Sequence, residues 1–315
     1  LSGRLMPFFS QILNFLDYIK RELKPNLAII AQNLKREKFM NLSMKKLVVP
    51  IFLDMFLHFI TLIINTYMVT KVSVHLVGAM GAGNQVMDLF MTIFNFLSMG
   101  CSVVVAQALG AKQNELASNV IHASITSNTV FGIASAIIIY VFGYNILNLL
   151  NVPSDLINDS FSYLHILGFA LLFDGIGMVL AAVLRVYNLA TAVMLTSVLM
   201  NIITIFGNAI ALFGWFDLPN LGLQGVAIST FVGRLIGVFV LLYMLIRVAK
   251  VRIYLSKLLV VPFGILKKIL SVGLPSSGEN LLWMAQYMVA FGFIASMGEA
   301  TLSVQTIYFQ ITLLI

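Results

Sequence analysis

Four of the twelve acidic residues in this 315-residue chain, Asp54, Asp88, Asp174 and Glu279, lie inside long runs of Leu, Ile, Val, Met and Phe. A charged group near the middle of a bilayer costs about 2.5–3.5 kcal/mol on insertion scales, so it is a functional candidate by default. Asp54 is followed by His58, Thr61 and Asn65, a spacing that puts all four on one helical face. His58 lies one turn beyond Asp54, within reach to share a proton. Asn84, Asp88, Thr92 and Asn95 form a second stripe of the same kind. Two polar stripes on consecutive helices predict a wet cavity between them; the plainer alternative is interhelical hydrogen bonds that hold a bundle together. Glu279, Trp283 and Gln286 make a third such face, where Trp283 either stacks on a flat or cationic ligand or serves as a packing or interfacial residue. Asp174 precedes Gly175 and Gly177, which suits close helix packing as well as ligand approach.

Other chemistries find no support in the sequence. No phosphate-binding loop of the nucleoside-triphosphate type occurs, which argues against a primary pump in this chain. His75, His122 and His165 have no metal-ligand partner at useful spacing and read as structural. No nucleophile–His–acid set stands out, so no catalytic residue, cofactor or metal site is expected. Cys101 is the single cysteine, set in an apolar run, and reads as a small buried hydrophobe. Transport would then draw on an ion gradient or on a partner.

The elements that carry these residues follow from composition. Sixty per cent of residues are hydrophobic and 10% charged, too greasy for a water-facing surface. Runs of bilayer length, about 20 residues, lie near 47–69, 86–109, 119–142, 160–184, 189–213, 222–246 and 269–297, and an eighth begins near 301. Strand-like alternation is absent, so the predicted fold is all-α, a polytopic transmembrane helical bundle. Of the 19 basic residues, 17 fall on one side of these spans: nine within 1–46, then Lys112, Arg185 and six between Arg247 and Lys268. Lys71 lies on the opposite side, and Arg234 within a span. The positive-inside rule makes the N-terminus cytoplasmic in a plasma (inner) membrane protein. The net charge of +7 then faces anionic lipid headgroups, and nucleic acid is an unnecessary partner. Residues 7–24 have helical apolar spacing beside Lys20 and Arg21, which predicts a helix on the membrane surface or one that binds a partner.

An internal repeat organises the chain. Pro50 with Asp54 and Pro275 with Glu279 are separated by the same 225 residues, each pair following two lysines (Lys45–Lys46 and Lys267–Lys268). Half-transporter repeats are a common plan. The expected divisions are a cytoplasmic amphipathic segment (1–46), a six-helix lobe (47–246), an interlobe linker (247–268) and the truncated start of a second lobe (269–315) standing apart from the first. The chain starts at Leu1 rather than Met, in keeping with a fragment or a processed start.

Three stretches carry a resemblance: Ser102–Lys112 with its Ala-Gln-x-x-Gly-Ala run, the Pro50–Asp54 start, and Gly214–Ala227. In order and spacing they resemble the multidrug and toxic-compound extrusion (MATE) family over 45–315, and the start is similar to a bacterial branch with flavin and peptide exporters. The resemblance implies an H+- or Na+-coupled antiporter, a monomer, exporting small organic solutes such as drugs, organic cations or flavins by alternating access. Departures accompany it. The family's late acidic position in helix 1 is Asn65 here, its helix 5 acid is Asn208 with Thr204 one turn earlier, and its helix 7 glutamate falls at Trp283, one turn from Glu279. An asparagine does not titrate, so coupling is expected at Asp54, Asp88 or Glu279, with Asp54 first. The Leu184–Asn188 turn keeps an arginine but lacks the family's glycines. Two further readings are a flippase of lipid-linked sugars, which needs a strongly cationic cavity, and a membrane-embedded enzyme, which needs a catalytic cluster near one interface.

Overall fold

The computed structural model describes residues 44–214, 220–258 and 262–312, and every regular element among them is a helix. The chain divides into two compact units at Lys46/Leu47, and the helical bundle belongs to the second. The surface helix expected over 7–24 lies outside the described residues, as does the 215–219 part of the Gly214–Ala227 stretch.

Six helices come first: α1 (Met44–Val72), α2 (Val74–Gly110), α3 (Asn114–Leu149), α4 (Ser154–Val186), α5 (Ala190–Phe213) and α6 (Gly222–Tyr243), the last running on into a π-helical turn, Met244–Val248. All six are long and apolar enough to cross a membrane. The short α7 (Leu255–Leu258), then α8 (Phe263–Ala295) and α9 (Glu299–Thr312) follow. The further spans expected near 269–297 and from 301 fall on α8 and α9. At 33 residues α8 is long enough, but Lys267, Lys268, Glu279 and the Gly, Pro and Ser residues around 273–278 dilute it, and neither it nor α9 is among the six.

Tight turns join the first helices, and they share one cause. After α2, α3 and α4 one residue enters the left-handed region, Lys112 (φ 61°), Asn151 (φ 55°) and Asn188 (φ 64°). The next N–H then returns to a carbonyl five residues back: Gln113 to Ala108, Val152 to Leu147, Leu189 to Leu184. This capping satisfies helix-end carbonyls that would otherwise be left unpaired. Asn188 supplies the conformation for which glycine is usual, because its short side chain tolerates positive φ. Chain direction therefore alternates, and Lys112, Arg185 and Arg247 gather at one end of the bundle, here called the basic end.

The core centres on α2 and α4. Half of the most apolar stretch of each is buried, against 11% for α1, which stands off from the bundle with Phe52, Met55 and Phe56 exposed. Phe94 of α2 is fully buried and meets Phe131 of α3 edge-on, ring centroids 5.8 Å apart.

The segment from 269 onward does not stand apart from the first bundle as expected. Instead α8 lies along α2. A Cβ placed on Gly100 would run into the backbone of Ile269, and one on Gly273 into the backbone of Phe96. Two glycines at matching heights let the two backbones touch, the usual device for close helix contact in membranes. The linker is held as well. Tyr254 N–H donates to His122 Nε2 (2.9 Å), Thr126 Oγ1 to the Leu258 carbonyl (2.7 Å) and Lys257 Nζ to Asn119 Oδ1 (2.8 Å). Because Nε2 accepts, the proton of His122 sits on Nδ1, 2.6 Å from the Ser118 carbonyl. His122 is thus a structural residue, as its isolation in sequence predicts.

Candidate functional site

The gap between α1 and the bundle is a cavity of about 520 Å³. Asp54, His58, Thr61 and Asn65 all line it, so the helical spacing of the first stripe does turn one face to a common space. Thr61 Oγ1 donates back to the Leu57 carbonyl at 2.8 Å, a local bond that leaves the rest of the stripe free to face inward.

Two polar contacts hold α1 at its distance. Arg185, in the last turn of α4, donates to Asp54 Oδ2 at 2.9 Å, with the Asp54 side chain 14% exposed. Nearer the other end, Asn208 Nδ2 donates to Asn65 Oδ1 at 2.9 Å. The partner of Asp54 is therefore Arg185 rather than His58, which lies on the same cavity wall but makes no ion pair with it. A separation of 131 residues left nothing in the linear pattern to announce this pair. Asn65 and Asn208, both offered as replaced acids, do come together, as an amide pair that holds no titratable proton. Thr204, one turn before Asn208 on α5, lines the same cavity.

The second stripe is divided. Asn84 and Asp88 face this cavity, whereas Asn95 faces another, of about 580 Å³, and Thr92 turns its hydroxyl to the Asp88 carbonyl at 2.8 Å. Tyr163 Oη donates to Asn84 Oδ1 at 3.0 Å and fixes that wall. Asp88 has no cationic partner within ion-pair distance among the described residues and is open to the cavity.

Asp174 is paired with Arg234 of α6: Nη1 lies 3.1 Å from Oδ1, and the Asp174 side chain is only 4% exposed. Arg234, a lone cation in an apolar span, is the signal that could have located this pair. The two cavities share Met91, Asp174, Met178, Ser197, Met200 and Arg234. On α2, α4 and α6 the remaining lining of the first cavity lies toward the Val72 end of the bundle, and that of the second toward the basic end. The ion pair and three methionines thus sit at the level where two stacked cavities meet.

Glu279 and Trp283 do not line either cavity. Glu279 is exposed. Trp283 stacks flat on Tyr287 (centroids 5.6 Å apart, planes 4° apart), and Tyr287 in turn lies against Phe309 at 4.6 Å. It is Tyr287 and Phe309, which sequence reasoning did not single out, that reach the first cavity. Among the described residues no His, Cys, Asp and Glu group could hold a metal ion.

Comparison with known proteins gives consistent matches. The MatE family signature covers residues 50–210. An uncharacterized transporter of Bacillus subtilis, YisQ, is 29% identical over 282 residues, covering 90% of this chain and 62% of that protein. A probable multidrug resistance protein of Thermotoga maritima, NorM, is 27% identical over 211 residues, 64% of this chain and 44% of that one. Among solved structures, an inward-facing multidrug resistance MATE family transporter of the MOP superfamily superposes with a TM-score of 0.73 at 22% identity, over 85% of this chain and 61% of that chain. At that identity the likeness speaks for the fold. The chain spans about three fifths of YisQ and of this solved transporter.

Proposed function

This chain belongs to the MatE family, and on that premise we propose that it forms the larger part of an antiporter that exports small organic solutes by alternating access. The observation that carries the reading is the polar cavity between α1 and an otherwise apolar bundle, with Asp54, Asp88 and Asp174 on its walls. In our reading the solutes are drugs, organic cations or flavins, the driving ion is H+ or Na+, residues 47–246 make a first lobe, and the basic end faces the cytoplasm of a plasma (inner) membrane. The name of the NorM relative agrees with such substrates.

Coupling is assigned to Asp54 and Asp88. The amide pair of Asn65 and Asn208 has no proton to exchange, whereas Asp54 can trade its Arg185 partner for a bound cation, and Asp88 offers a carboxylate with no ion-pair partner among the described residues. Both acids face the same space, so an ion and a cationic solute would compete there. A lipid-linked sugar flippase fits less well, because this cavity has three acids against Arg234 as its arginine.

The test uses the full-length protein in vesicles, with efflux of a cationic fluorescent dye driven by a proton or sodium gradient. Asp54→Asn and Asp88→Asn should each lower gradient-driven efflux at least tenfold, the equivalent of about 1.4 kcal/mol, and flatten its ion dependence while the protein stays folded. Wild-type efflux and ion dependence in both variants would remove the coupling assignment. Failure of the wild type to respond to either gradient would remove the antiporter reading itself.

A further inference from the structure

Away from both cavities, at the Val72 end of the bundle, one imidazole meets two carboxylates from different helices. His75 Nδ1 lies 2.9 Å from Glu299 Oε1, and His75 Nε2 lies 3.3 Å from Asp159 Oδ2. His75 is in the first turn of α2, Asp159 near the start of α4, and Glu299 is the first residue of α9. All three side chains are partly exposed, at 32%, 48% and 37%, so protons reach them freely.

An ionised carboxylate only accepts hydrogen bonds, and a neutral imidazole has one donor nitrogen and one acceptor nitrogen. A neutral ring would therefore turn a lone pair toward one of the two carboxylates. Both contacts are favourable together only for the doubly protonated ring. We propose that His75 is a proton-operated latch, which in its charged form ties α9 to the α2–α4 pair and in its neutral form releases one of its two carboxylates.

Two placements give the latch a mechanical consequence. First, α9 lies beyond the 249–262 connection and beyond α8, so Glu299 joins the part of the chain after the linker to the part before it. Second, the neighbouring contact is insensitive to pH: Ser303 Oγ donates to the Val74 carbonyl at 3.1 Å. The start of α9 also packs on α2, with Leu302 fully buried and Ser303 and Thr306 set against Gly78 and Gly81; the polar contacts that anchor it are one fixed hydrogen bond and one switchable ion pair. The other charged groups nearby are engaged elsewhere. Lys71 at the end of α1 has its Nζ over the Tyr67 ring, 5.2 Å from its centroid, and Asp155 of α4 accepts from the Ser154 hydroxyl at 3.3 Å. Among the described residues no further charged side chain lies within ion-pair distance of the His75 ring. The charged ring attracts both carboxylates and the neutral ring does not, so the latch holds at low pH and loosens once the ring gives up its proton.

The inference goes beyond solute transport, and its readout is a distance that needs no substrate. In the full-length protein, nitroxide labels at Asn158→Cys on α4 and Ala300→Cys on α9, both exposed positions, report the separation by electron–electron double resonance. At about pH 5 a single narrow distance is expected; at about pH 8 a second, longer population should grow severalfold. His75→Gln should show the high-pH distribution at both pH values, and His75→Arg, permanently cationic, the low-pH one at both. If His75→Gln does not fold, Glu299→Gln reads the same arm and should likewise lose the pH response. Identical wild-type distributions at the two pH values, or an undiminished pH response in His75→Gln or Glu299→Gln, would overturn the proposal.

Discussion

Arg234→Gln tests how the bundle tolerates charge in its apolar interior. The substitution removes the guanidinium 3.1 Å from Asp174 and leaves a carboxylate that is 4% exposed without its cation. Stranding a buried charge in this way costs about 3–5 kcal/mol, because the desolvation penalty stays while the attraction is gone. Removing both charges avoids that penalty, so Asp174→Asn combined with Arg234→Gln should lie within about 1 kcal/mol of wild type if the two amides pair. Thermal unfolding of the full-length protein in detergent can read the contrast, where the single change should lower Tm by roughly 5–10 °C and the double change should recover most of the loss. The same cycle on Asp54 and Arg185 should give a smaller coupling, since Arg185 is 36% exposed and solvent screens the pair. If the Arg234 single and double variants fall equally, with no coupling between the positions, the buried-pair argument is refuted. Because this pair stands where the two cavities meet, the double variant should also let a small thiol reagent reach Asn84→Cys from the basic end faster than it does in the wild type.

Gly273→Leu places a side chain where the backbone of Phe96 already sits, so α8 should lose its seat on α2 at a cost of about 1–3 kcal/mol; protease accessibility of the 249–262 connection would rise, and an unchanged cleavage rate would argue against the docking. Asn65→Asp restores a carboxylate beside Asn208 Nδ2, 2.9 Å from the present acceptor; dye efflux should gain a new ionisation in its pH profile, and a profile that superimposes on wild type would show that this position does not reach the transport pathway.

Part of the molecule is written along the chain and part is not, and the division has a physical reason. Helix type, length and number of the first six spans follow from continuous apolar runs, since a backbone in hydrocarbon must satisfy its own hydrogen bonds. The shared face of Asp54, His58, Thr61 and Asn65 follows from a period of 3.6 residues, and the four line one cavity. Charge at the basic end was equally legible, because it depends on loops between spans. Periodicity stops at the single helix, however. That Arg185 meets Asp54, that Arg234 meets Asp174, and that His75 stands between Asp159 and Glu299 depends on how α1, α2, α4, α6 and α9 are set side by side. The 225-residue repeat led to a second lobe standing apart, because a repeat records likeness between segments and says nothing about what each one touches. Gly100 and Gly273 decide that question through their lack of side chains, and such an absence acquires meaning only when another backbone comes close enough to fill it.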